Sequence, residues 1–220
     1  MRRRTNWLVG GVAAAVLAGG GITAAVAATD SGSGGTGTGT PASSSADAGF
    51  ARDMAVHHQQ AVEMSYIVRD RTDDEEVRRL AYDIAQTQAN QRGMLLGWLD
   101  LWDLPKVPDG APMDWMGMGD VPPGKDGALM PGMATGAELE RLGKLSGKKA
   151  EVLYLQLMTR HHRGGVHMAQ GCVDRCEVSA EQRLARGMVE SQESEISLMA
   201  ALLKARGAGA GVGAGAGLGG

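Results

Sequence analysis

The chain has 220 residues, a formal net charge of −3, and 43% hydrophobic residues, with aromatics at only 4%. That length suits one domain plus tails, and the charge excludes the concentrated basic face that nucleic acid requires. A core so poor in aromatics must be filled by Ala, Leu, Val and Met, mostly good helix formers.

The amino-terminal segment reads as an export signal, spanning residues 1–28. Arg2, Arg3 and Arg4 precede an apolar stretch from Trp7 to Leu17, Gly19, Gly20 and Gly21 break it, and Ala25-Val26-Ala27 offers a small-x-small cleavage pattern. The alternative is a retained membrane anchor, since the run to Ala28 is about 22 residues, roughly the span of a bilayer. Both place the domain outside the cytoplasm. Residues 29–46, almost all Gly, Ser and Thr, read as a flexible linker.

From Asp47 to about Asp70 the sequence predicts a helix, followed by Thr72-Asp73-Asp74-Glu75 as a capping box and a second helix to about Trp102. A long connection, 103–134, carries Met113, Met116, Met118, Met130 and Met133 among Pro and Gly. Loops of that length are usually functional or disordered. Thr135-x-x-Glu138 opens a short extra helix, a third long helix runs from about Gly147 to Cys172, and Ser179-Ala180-Glu181-Gln182 predicts a capping box for the last. That helix should end near Arg206, with Gly207 as a left-handed C-cap. Residues 207–220, nearly all Gly and Ala, cannot bury a core and read as a disordered tail. Short turns make each helix pair a hairpin, and two hairpins (47–102 and 147–206) make an all-α four-helix bundle.

The two halves match at a shift of 104 positions. FARDMAVHHQQAVEM (50–64) overlies YLQLMTRHHRGGVHM (154–168), and Ile84, Gln88 and Leu99 fall on Met188, Gln192 and Leu203. Duplication is the economical reading. At about 100° per residue, Met54, His57, His58, Ala61 and Met64 share one helix face, as do Met158, His161, His162, Gly165 and Met168. Small Ala61 and Gly165 leave room between the larger side chains. Imidazole with thioether is a ligand set for soft first-row ions, thioether selecting Cu(I) in particular. A di-iron bundle would instead carry Glu-x-x-His, which the chain lacks. A single buried Met or His is ordinarily core packing, but four of five histidines fall in two matched pairs, which packing alone does not predict.

The ligands expected are therefore Met54, His57, His58, Met64, Met158, His161, His162 and Met168, holding copper, with Cu(I) favoured and zinc the alternative. His167 and the five connection methionines are auxiliary candidates, the latter exposing sulfur that could capture an ion and deliver it. Glu190, Glu193 and Glu195 could face the site from the last helix. Cys172 and Cys176, four residues apart, form either a disulfide at a helix end or a thiolate pair, the oxidising compartment favouring the disulfide.

The twofold Met-x-x-His-His-x-x-Ala/Gly-x-x-Met pattern, with Ile84-x-x-x-Gln88 and the Met-Pro-Gly-Met of the connection, resembles the signature of the domain of unknown function 305 (DUF305) family over about residues 47–205. The resemblance implies a ferritin-like fold, export, and copper sequestration, as in some members. The chain departs from that pattern at Gln91-Arg92, where the family tends to have Glu-Ile, as at Glu195-Ile196. A copper-buffering or copper-transferring protein is the leading expectation. The alternatives are a ferritin-like metal-dependent redox enzyme and a partner-binding bundle whose histidines form a polar network. A homo-oligomer is compatible with all three.

Overall fold

The computed structural model describes residues 39–107, 110–120, 126–209 and 211. The segment read as an export signal and the first part of the expected linker, up to residue 38, lie outside the described residues. Among those described there are five α-helices and no strand: α1 (Ala46–Arg69), α2 (Glu75–Leu101), α3 (Gly136–Lys144), α4 (Gly147–Arg175) and α5 (Ser179–Ala205). None is long and apolar enough to cross a membrane.

Helices α1 and α2 form one hairpin, α4 and α5 the other, and α1 packs on α4 at the centre. The residue patterns explain this division. Helix α2 buries Val77, Leu80, Ala81, Ile84, Ala85, Gln88, Leu95 and Leu99, a single three-and-four-spaced stripe typical of an outer helix. Helices α1 and α4 bury residues on several sides, including Arg52, Asp53, Gln60 and Thr159, because each is covered by two neighbours. Met54 and Met168 fall in one apolar cluster and Met64 and Met158 in another, so the two central helices run in opposite directions past each other.

The helix ends differ from expectation in two places. Thr72 does not begin a capping box: the N-cap of α2 is Asp74, which accepts from the Val77 N–H at 3.0 Å, while the Thr72 hydroxyl donates to Glu151 on α4 at 2.6 Å. The α5 N-cap is Val178, with no side-chain cap of its own. In place of the expected Ser179 box, the Asp47 carboxylate on α1 accepts from the Glu177 and Val178 amides at 2.8–3.2 Å. A carboxylate at a helix N-terminus meets free N–H groups whatever its distance in sequence. The Thr135/Glu138 capping box is present, and Gly207 takes φ 71° where the α5 ladder ends.

Two supposedly loose segments are tied down in part. The Arg52 guanidinium donates to the Ser43 carbonyl and hydroxyl, and Ser45 caps α1. Gln156 on α4 donates to the carbonyls of Gly209 and Gly211.

Candidate metal centre

All eight residues of the two stripes, Met54, His57, His58, Met64, Met158, His161, His162 and Met168, are fully buried, as is Ala61. Where α1 crosses α4 the His57 and His161 rings stack, with centroids 3.7 Å apart and 30° between planes. His58 and His162 flank this pair. His58 Nε2 donates to Gln91 Oε1 at 2.9 Å and His162 Nε2 to Glu195 Oε2 at 2.6 Å. These two bonds occupy matching positions at the 104-residue shift, differing only in amide against carboxylate. The chain thus carries the carboxylate partner in one half and a neutral one in the other.

Those contacts fix the tautomers. The partners of Nε2 on His58 and His162 are acceptors, and His161 Nε2 donates to the His57 carbonyl at 3.0 Å. With the proton on Nε2, the neutral rings of His58 and His161 keep the lone pair on Nδ1. The Nδ1 atoms of all four histidines are buried without a hydrogen-bond partner. For His57, Nε2 is unpartnered too: the Pro131 carbonyl lies near enough to favour the protonated ring slightly, but not in hydrogen-bonding geometry.

Burial, reinforced by the neighbouring His162, pushes His57 down to about 3, and burial with His57 beside it does the same to His58. His161 is also driven well below its ordinary value of 6.5, first by burial and then by the other three rings. Neutral imidazoles are the form that ligates metal. The ring nitrogens do not by themselves make a tripod. Among the described residues, the one set of three His, Cys, Asp or Glu ligand atoms mutually within 4.8 Å is Cys172, Cys176 and Glu181. An ion in the histidine layer would therefore draw on the thioethers around it.

Sequence reading misplaced several auxiliary candidates. His167 is exposed, as are Glu190 and Glu193; only Glu195 reaches the layer. The connection methionines do not display their sulfur. Met113, Met130 and Met133 are buried in the same apolar cluster as Met54, Met168 and Met188, with Met116 and Met118 packed against it. The room expected beside Gly165 is filled by the Gln192 amide, whose oxygen would sit 2.4 Å from an added Cβ. Gln88 and Gln192, which correspond at the 104-residue shift, are both buried with an unpartnered Oε1.

The connection folds back as a strap over the layer, for reasons no local motif reveals. Gln60 on α1 grips Ala134 through both amide atoms, at 2.9 and 2.6 Å. Arg160 on α4 pairs with Glu138 and reaches the Met133 carbonyl at 3.4 Å. Between them Pro131 and Gly132 press onto Gly164, and Gly132 holds φ 84° against the Arg160 carbonyl. A cavity of about 290 Å³ lies within the folded connection, lined by Met113, Met118, Met130 and Met133 among others, with Arg160 of α4 at its wall. Gly164→Ala would place a methyl 2.0 Å from the Pro131 carbonyl oxygen. Urea unfolding of that variant should show a loss of about 1–3 kcal/mol, the usual cost of overpacking. Gly187→Ala, whose Cβ meets nothing within 4 Å, should instead gain about 0.5–1 kcal/mol from helix propensity.

The family model for the domain of unknown function DUF305 matches residues 47–203. A DUF305 protein from Streptomyces coelicolor, provisionally described as secreted, is 76% identical and superposes with a TM-score of 0.72 over 76% of this chain and 98% of its own. A DUF305 fragment from Deinococcus radiodurans is 31% identical (TM-score 0.61; 73% and 96% covered). The Cu(I)-bound form of CopM shares the fold at 20% identity (TM-score 0.56; 72% and 96% covered), and CopM has also been solved with Cu(II) and with Ag. A search of curated proteins returns no match.

Proposed function

The chain belongs to the DUF305 family, and from that membership together with the buried histidine layer we propose that it binds copper as Cu(I) outside the cytoplasm and buffers it or hands it on. The observation that carries this reading is the set of four buried Nδ1 atoms without partners, flanked along the same stripes by four buried thioethers. Buried polar atoms left unpaired cost free energy and call for an explanation. A soft ion taken up by imidazole and thioether supplies one. Cu(I) also suits the charge of the layer. Neutral imidazoles and thioethers leave its single charge to be offset by Glu195 through His162, in the manner of a carboxylate orienting a ligating histidine. A divalent ion would bring twice the charge into the same surroundings. That CopM, of the same fold, has been solved with Cu(I), Cu(II) and Ag supports copper as the ion. The relative described as secreted supports work outside the cytoplasm.

In this reading Met54 and Met168 serve one end of the layer and Met64 and Met158 the other. The buried methionines of the strap, Met113, Met130 and Met133, line the route by which an ion arrives. The test is competition of the purified domain against a Cu(I) chelator, run in parallel with Zn(II) from pH 7 to pH 5. Cu(I) should stay bound throughout and Zn(II) should be the weaker at every pH, and neither should be released by ring protonation, because thioether has no proton to lose and burial keeps His57, His58 and His161 neutral across this range. Zn(II) displacing Cu(I) at neutral pH would sink the proposal.

A further inference from the structure

A second cluster of ligand-type side chains sits at the α4–α5 turn, away from the histidines. Cys172 lies in the last turn of α4, Cys176 is its C-cap and Glu181 stands in the first turn of α5. The cysteines form a disulfide, with Cα atoms 4.8 Å apart. Their two sulfurs and a Glu181 oxygen lie within 4.8 Å of one another. All three residues are buried, Glu181 completely.

Glu181 pairs with Asp47, the carboxylate that receives the amides at the start of α5. Neither of its oxygens has a hydrogen-bond partner when it is taken as a carboxylate, and its one polar neighbour of note, Asp47, is already accepting from two amides. Burial first, and then the charge and hydrogen bonding of Asp47, push Glu181 up to about 9, so at neutral pH it is an acid whose single proton faces Asp47. A fully buried carboxyl that keeps unanswered lone pairs, with an oxygen within 4.8 Å of two sulfurs, offers a third ligand beside them. The spacing agrees. Two cysteines separated by three residues fall within the range of structural zinc sites, and mixed sulfur and carboxylate ligands suit a borderline-soft divalent ion. All three ligands come from one short stretch of chain, so the site needs no distant rearrangement to assemble.

We propose that Cys172, Cys176 and Glu181 form a redox-gated site for a zinc-class divalent cation, closed in the disulfide form and opened by an external dithiol. A thiolate of the dithiol attacks Sγ of Cys176, the less buried of the two residues, and breaks the Sγ–Sγ bond. The second thiol of the reductant then displaces Cys176 and leaves as a disulfide. Two electrons and two protons end on the protein sulfurs. Binding the cation releases those two protons and the proton of Glu181, and water takes the fourth position.

The test uses the full exported chain and Co(II) as the probe, because thiolate–Co(II) coordination gives a near-ultraviolet charge-transfer band that imidazole and thioether do not. Reduction is done with a water-soluble phosphine, which takes oxygen from water, leaves two thiols and adds no competing thiol. The reduced chain should bind one equivalent of Co(II) with that band, and Zn(II) should bleach it. The oxidised chain should show no band. Glu181→Gln, which imitates the neutral acid and so should fold, should keep the band but weaken binding at least about tenfold, the size of effect that even outer-shell partners exert. Absence of the band in the reduced chain at saturating Co(II), an equal band in the oxidised chain, or unchanged affinity in Glu181→Gln would each overturn the proposal. The thiolate band reads this site alone, so its outcome is independent of the copper reading.

Discussion

His57→Leu should make the metal-free protein more stable and the copper-binding protein worse. His57 is completely buried and neither ring nitrogen is hydrogen-bonded. Leaving a buried polar group unpaired costs about 1–3 kcal/mol, whereas an apolar side chain of similar size at the same place incurs no such penalty. The metal-free variant should therefore gain about 1–3 kcal/mol in urea unfolding. Its affinity for Cu(I) should fall at least about tenfold, judged against the 10–100-fold effects of outer-shell partners. The opposite signs are the diagnostic: residues kept for function are those whose replacement relieves the fold. Lower stability with unchanged affinity would make His57 a packing residue and remove it from the ligand set.

The second large effect is on acid stability. His57 and His58 are held down to about 3 and His161 well below its ordinary 6.5, so in the folded chain all three stay neutral where the unfolded chain takes up protons. A group depressed by folding contributes stability that is lost as pH falls below its unfolded value. These three should thus erode stability progressively below pH 6.5. Glu181 acts with the opposite sign. Its folded value of about 9 lies above the ordinary 4.5, so it favours the folded state in acid and that benefit fades as pH rises from 4.5 towards 9. Each unmatched proton is worth about 1.4 kcal/mol per pH unit. Between pH 6.5 and 4.5 the four groups together approach a slope of about two protons, or roughly 2.7 kcal/mol per unit. Below 4.5 the slope approaches three protons, about 4 kcal/mol per unit. Against a stability of about 5–15 kcal/mol, the metal-free domain should unfold within a few pH units of neutrality. Urea midpoints measured from pH 7.5 to 4 check this, and His57→Leu should lower the slope by one proton. Stability that instead rises as pH falls from 6.5 to 4.5, the Glu181 contribution standing alone, would show that the rings are protonated in the folded chain.

How much of this was legible in the residues depends on how far apart the interacting groups lie. Periodicity set the four long helices and put Met54, His57, His58 and Met64 on one face, because helix geometry is local. Thr135 with Glu138, and Gly207 past the end of α5, are read correctly for the same reason: a cap needs only its own helix. The two capping boxes misread at Thr72 and Ser179 failed where a distant residue offered the hydroxyl or the amides a better partner, Glu151 in one case and Asp47 in the other.

By itself, the sequence determined the helical class and the matched Met/His stripes, since these follow from residue type and spacing. Only the tertiary structure decided which rings stack, which nitrogen of His58 and His161 keeps its lone pair and that Glu195 rather than Glu190 or Glu193 reaches the layer. It also turned the methionines of the connection inward. The grip of Gln60 on Ala134 and the press of Pro131 on Gly164 close the strap across the two central helices. Those contacts join positions tens of residues apart and depend on how α1 crosses α4, a geometry that no window of sequence contains.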